Sequence, residues 1–150
     1  MTFQKERPAF IVPKQRRGRR LVGIRYEQAV HAHLTARFGS AYLPSLWFSF
    51  TDETNQRRWC QPDGLLVLPD ENRIIVIEAK YQHTANAWWQ VEQLYKPVVR
   101  EAFRALAPRL DSCEVVKWFD PAVIFPCKPL LCGDITKVPE GEFGVHIFKP

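Results

Sequence analysis

Asp63, Glu78 and Lys80 are the residues of this 150-residue chain whose types and spacing most clearly suggest chemistry. Glu78 and Lys80 stand two apart in RIIVIEAK, so on a strand both side chains share a face. Asp63 comes just before a second apolar run, GLLVL, and the Pro-Asp-Glu-Asn between the runs is turn chemistry. Pairing Leu68 with Arg73 across that turn sets Asp63 opposite Glu78 and Gln61 opposite Lys80. Directly opposed residues have Cβ atoms ~4.5–5.5 Å apart, and like charges so placed are destabilising. Two carboxylates at the mouth of an apolar hairpin therefore need a cation between them. Hard oxygen ligands suit Mg²⁺ or Mn²⁺, and Lys80 becomes a fixed positive charge beside the metal. The plain alternative is a hairpin whose Asp63 starts a turn and whose Glu78 and Lys80 form a surface ion pair.

The elements that must position these groups can be read from periodicity. Residues 21–38 repeat apolar side chains at helical spacing (Ile24, Val30, Leu34, Phe38), and Gly39 is a stop signal. Glu27 lies within that stripe, where a carboxylate is costly unless paired. Strands are expected at 46–51, 57–61, 64–68 and 73–80, with further strands at 114–119, 122–125 and 145–149. A second helix is expected over 84–106, with Trp88, Val91, Tyr95, Val98, Ala102 and Leu106 near one face and a kink at Pro97. This order of helix, strands, helix and more strands implies a mixed α/β fold with a central sheet.

Pro62-Asp63, fourteen residues and then Glu78-Ala79-Lys80 resembles the signature of the PD-(D/E)XK nuclease superfamily, flanks included. The resemblance covers about residues 21–119. It implies a restriction endonuclease-like α-β-β-β-α-β core, with a central mixed sheet flanked by helices. It also implies Mg²⁺-dependent (or Mn²⁺-dependent) hydrolysis of DNA phosphodiesters. Asp63, Glu78 and the Ala79 carbonyl would hold the metal, Glu27 would join them directly or through water, and Lys80 would orient the attacking water or stabilise developing charge. RecB-like members carry a glutamine, three residues and then a tyrosine on the helix after the lysine. Gln90, Gln93 and Tyr95 resemble this, but neither glutamine has the family spacing. A structure-selective or non-specific endonuclease, resembling the Holliday junction resolvases and acting as a homodimer, is one expectation. A RecB-like exonuclease is another, and a non-catalytic nucleic-acid-binding module on the same fold or a protein-interaction domain stands against both.

The charge agrees with an anionic partner. The net charge is +5. Residues 1–20 hold seven bases and one acid, whereas residues 21–150 hold 14 bases and 15 acids. A flexible basic arm over 1–20, with Lys14, Arg16, Arg17, Arg19 and Arg20 on phosphates, is thus expected ahead of a domain at 21–150. No apolar run approaches the ~20 residues that cross a bilayer, and no secretory signal is evident, so a cytoplasmic protein without a membrane partner is expected. The four cysteines lack zinc or iron–sulfur spacing, and free buried thiols are expected instead. Trp88 and Trp89 are adjacent on the second helix, so one of them should face outward. Aromatics beside a basic groove can stack on bases. His31, one helical turn after Glu27, reads as packing.

Overall fold

The structure, a computed structural model, describes residues 2–11 and 18–150. Its centre is the expected hairpin. Strands β1 (Thr2–Gln4), β2 (Tyr42–Pro44), β3 (Trp47–Thr51), β4 (Arg57–Cys60), β5 (Gly64–Leu68) and β6 (Arg73–Gln82) precede the second helical segment. Strands β7 (Arg109–Trp118), β8 (Leu130–Leu131) and β9 (Phe143–Ile147) follow it. The β5–β6 ladder runs antiparallel from Leu68–Arg73 to Gly64–Ile77, in the register expected. Its turn is closed by the Asn72 N–H donating to the Pro69 carbonyl, with Asn72 at φ 45°, a left-handed conformation that asparagine tolerates.

Six strands form a mixed sheet in the order β2-β5-β6-β7-β9-β8. β6, β7 and β9 run parallel, while β2 and β5 are antiparallel to their neighbours. A smaller antiparallel sheet, β1-β3-β4, stands apart. Helix α1 (Gly18–Phe38) covers one face of the large sheet, packing Tyr26, Val30 and Leu34 among Leu66, Ile75, Ile77 and Val115. The other face carries the second helical segment, whose Val91, Tyr95, Val98 and Val99 meet Leu65, Ile74, Val76 and Val116, with Phe48 of the small sheet. β6 is therefore buried on both faces from Arg73 to Ala79. This is why its sequence is continuously apolar rather than alternating. The buried Arg73 guanidinium is satisfied by Asp111 and by the Thr136 and Val138 carbonyls.

Four expectations need correction. The arm is not free over all of 1–20, because Thr2–Gln4 pairs with β3 and residues 18–20 already belong to α1. The second helix is continuous from Ala85 to Ala102 but is not α-helical throughout. It is α2 (Ala85–Gln90), a π turn (Val91–Tyr95) and α3 (Lys96–Ala102), and the irregularity lies ahead of Pro97. Pro97 lies inside this continuous segment, directly after the π turn. Residues 122–125 form no strand. Pro121 and Pro126 flank them, and Asp120 ties the segment into a turn by accepting from the Ala122 and Val123 N–H groups. Leu106 is exposed rather than aligned with the apolar face.

Candidate functional site

Asp63 and Glu78 are held side by side at the mouth of the hairpin. Three local features fix Asp63. Pro44 pairs with Gly64, the Ser45 N–H donates to the Asp63 carbonyl at 2.9 Å, and the Ala79 N–H donates to Asp63 Oδ2 at 2.8 Å. Gly64 is required here. A Cβ at that position would lie 2.3 Å from the Tyr42 hydroxyl, so the close passage of Tyr42 admits no side chain. Glu78 is almost fully buried, and among the described residues its Oε2 has no hydrogen-bond partner. Burial pushes the Glu78 carboxyl above the usual range, while Lys80 and Asp63 pull it back and Glu27 pushes it further up. Lys80 Nζ lies 3.3 Å from Glu78 Oε1 on the shared strand face.

These groups border a cavity of about 620 Å³, within the span of small-molecule sites. Its lining brings together Glu27, Asp63, Glu78, Ala79, Lys80 and Gln90, all foreseen from sequence, along with Arg20. Gln61 lines it too, but its amide donates to the Ser45 carbonyl. The aromatic wall is Trp47 and Trp59 from the small sheet, with Tyr81 and Tyr95.

The π turn decides between the two glutamines. Its i→i+5 bond, from the Lys96 N–H to the Val91 carbonyl, absorbs one extra residue, so residues five apart take the places four-apart residues hold on an α-helix. Gln90 and Tyr95 thus both reach the cavity, whereas Gln93 is exposed and away from it. Gln93, expected beside Gln90, is not among the residues that line the cavity. The Gln90 Oε1 is buried and has no hydrogen-bond partner among the described residues. Burial and the nearby Glu78 and Asp63 hold the Tyr95 hydroxyl well above the ordinary tyrosine range, so it stays a donor. The Ser112 hydroxyl donates to Glu92 at 2.6 Å, which fastens the turn to β7.

Sequence reasoning missed the support of Glu27. His31 contacts Glu27 Oε1 through Nε2 at 3.4 Å and the Tyr42 hydroxyl through Nδ1 at 2.7 Å. The helical spacing of Glu27 and His31 was the available signal; Tyr42, distant from both in sequence, gave none. Of the expected phosphate-binding bases, Arg20 borders the cavity and Arg19 lies in the first turn of α1. Lys14, Arg16 and Arg17 fall outside the described residues.

Among the described residues no three His, Cys, Asp or Glu side chains form a metal-holding group by themselves. Mg²⁺ does not require one, since it is commonly held by one or two carboxylates with water and substrate phosphate completing its shell. Two adjacent carboxylates, one with a buried oxygen that lacks a hydrogen-bond partner among the described residues, fit that donor set. All four cysteines are free thiols, and burial pushes Cys60, on the cavity wall, up to about 12. No family model, curated protein or solved structure matches the chain.

Proposed function

We propose that the chain is a Mg²⁺-dependent nuclease that hydrolyses DNA phosphodiester bonds, on a restriction endonuclease-like core. The observation that carries this is the convergence of Asp63, Glu78, Lys80, Glu27 and Gln90 on one cavity. The topology supports the core as well. Within the large sheet, a first helix, three antiparallel strands (β2, β5, β6), a second helical segment and a parallel strand (β7) are compatible with an α-β-β-β-α-β order in which β3 and β4 of the small sheet are inserted between β2 and β5.

Asp63 and Glu78, with the Ala79 carbonyl, would hold the ion, and Glu27, which lines the same cavity, would join through water. When bound, the ion lowers the pKa of a coordinated water and neutralises charge on the reacting phosphate. Lys80 supplies a fixed positive charge beside that phosphate, of the kind that lowers the barrier when it is preorganised. Gln90 and the protonated Tyr95 offer hydrogen bonds to the water or to a phosphate oxygen. Arg20, at the cavity rim, contacts the backbone and positions it without reading sequence. No helix among the described residues is long and apolar enough to cross a membrane.

A cleavage panel tests the proposal. Linear, nicked, flapped, four-way and single-stranded DNA, together with RNA, are incubated with Mg²⁺, Mn²⁺ or EDTA. Cutting of DNA that needs the divalent ion and disappears in Asp63→Asn is the expected result. Undiminished cutting by that variant, or no cutting of any substrate alongside DNA binding indifferent to EDTA, would reject it. The second outcome would leave a binding module on this fold.

A further inference from the structure

β6, β7 and β9 end side by side, and parallel sheets gather their ligands at such carboxyl ends. The register places Gln82 beside Trp118 and Val116 beside Ile147, so Trp118 shares one sheet face with Lys149, Tyr81 shares the other with Lys117, and all four stand on the rim at the same end of the sheet. Both rings are open to solvent, with Tyr81 36% and Trp118 46% exposed. Lys117 Nζ lies 5.4 Å from the Tyr81 ring centre and 5.7 Å from that of Trp118, and Lys149 Nζ lies 4.6 Å from the Trp118 ring. Tyr81 also lines the cavity beside Lys80, so the rim continues into the candidate site. Asp120, the nearest acid along the chain, spends Oδ1 on its own turn.

Exposed aromatic surface marks a contact site, and flanking cations select what it contacts. A second copy of this chain would bring lysines against lysines. An anionic strand with flat bases satisfies both the rings and the charges. We infer that the Tyr81–Trp118 rim binds unpaired nucleotides of the strand whose phosphate occupies the Asp63–Glu78 site, with bases stacked on the rings and phosphates on Lys117 and Lys149. The inference rests on the proposed nuclease function for the location of that phosphate. Stacking accepts every base, and duplex bases are already stacked inside the helix. Tails, flaps and loops are therefore favoured over blunt duplex. Trp89, 52% exposed on α2 with its ring edge-on to Trp88, is the matched control.

The full chain is titrated, without divalent ions, with oligothymidylate, oligouridylate and a blunt DNA duplex, following tryptophan fluorescence and affinity. The two single strands tell DNA from RNA. Trp118→Ala should lose quenching and weaken oligothymidylate binding about fivefold or more, while Trp118→Phe keeps most of the affinity and Trp89→Ala all of it. Lys117→Ala and Lys149→Ala should each shallow the salt dependence by about one unit of slope. Thermal melting checks that each variant folds. Wild-type oligothymidylate affinity in a folded Trp118→Ala, or equal weakening by Trp89→Ala, would overturn the rim. The two proposals fail separately. Trp118-dependent binding without any cutting rejects the nuclease and keeps the rim. Metal-dependent cutting with oligothymidylate affinity unaffected by Trp118→Ala rejects the rim alone.

Discussion

Glu78 and Glu114 are register partners on adjacent strands, and both are buried, yet their surroundings are opposite. Glu114 is sealed. Its Oε1 contacts His83 Nδ1 at 2.5 Å and its Oε2 accepts from the Thr84 N–H at 3.3 Å. His83 in turn lies under Phe119 and Phe125, with ring centres 4.6 and 4.4 Å away. Glu78 instead borders a cavity, stands beside a second carboxylate and, among the described residues, keeps one buried oxygen without a hydrogen-bond partner. A buried acid whose lone pairs are filled by its own chain contributes to architecture. One left incomplete at a cavity is costly to the fold and is retained where a ligand completes it.

The largest expected effect that would break this contrast is on activity. Asp63→Asn and Lys80→Ala should each reduce cleavage by at least about 10³-fold, read as initial rates on a labelled substrate, with melting temperatures close to wild type. The next is on stability. Glu114→Ala removes a fully buried side chain and strips His83 of its partner, and should cost about 3 kcal/mol in denaturant unfolding. Glu78→Gln should be neutral or stabilise by about 1 kcal/mol, because it relieves a carboxylate buried beside another. Equal losses at the two positions would erase the distinction.

A smaller effect concerns pH. Burial raises the Glu114 carboxyl from 4.5 to about 8. The folded state therefore keeps this proton over a range in which the unfolded chain has released it. Stability from this group is complete below the unfolded value and is lost as pH rises through about 8. Glu114→Gln cannot titrate and should flatten the fall of melting temperature across that window. Smallest is the response to metal. Mg²⁺ should raise the wild-type melting temperature by a few degrees, roughly as saturating ligands do, and leave Asp63→Asn unmoved.

Much of the site was legible because its geometry is local. The 69–72 turn fixes the hairpin register, and the register fixes Asp63 against Glu78. Glu27 was legible as an acid inside an apolar stripe. Other features depend on partners far along the chain. β1 pairs with residues more than forty positions away, and nothing in Thr-Phe-Gln announces it. The strand expected at 122–125 has the composition of one but no sheet edge to join, and Phe125 instead packs on His83 and Phe143. Gln90 could not be separated from Gln93 because a π turn and an α turn have the same residue preferences, and only the backbone bonding tells them apart. The rim at Trp118 was equally hidden, since its two lysines come from different strands.

The π turn also means that two chain lengths can present the same pair of side chains. Deleting a single residue between Val91 and Leu94 would return the segment to plain α-helix without rotating either flank, because the π turn holds the one residue that an α-helix between the same ends lacks. The glutamine and the tyrosine would then stand four apart and still face the cavity together. Related chains should accordingly occur with either spacing, five apart over a π turn or four apart without one, and an alignment that admits no one-residue gap there would misplace the glutamine against the tyrosine.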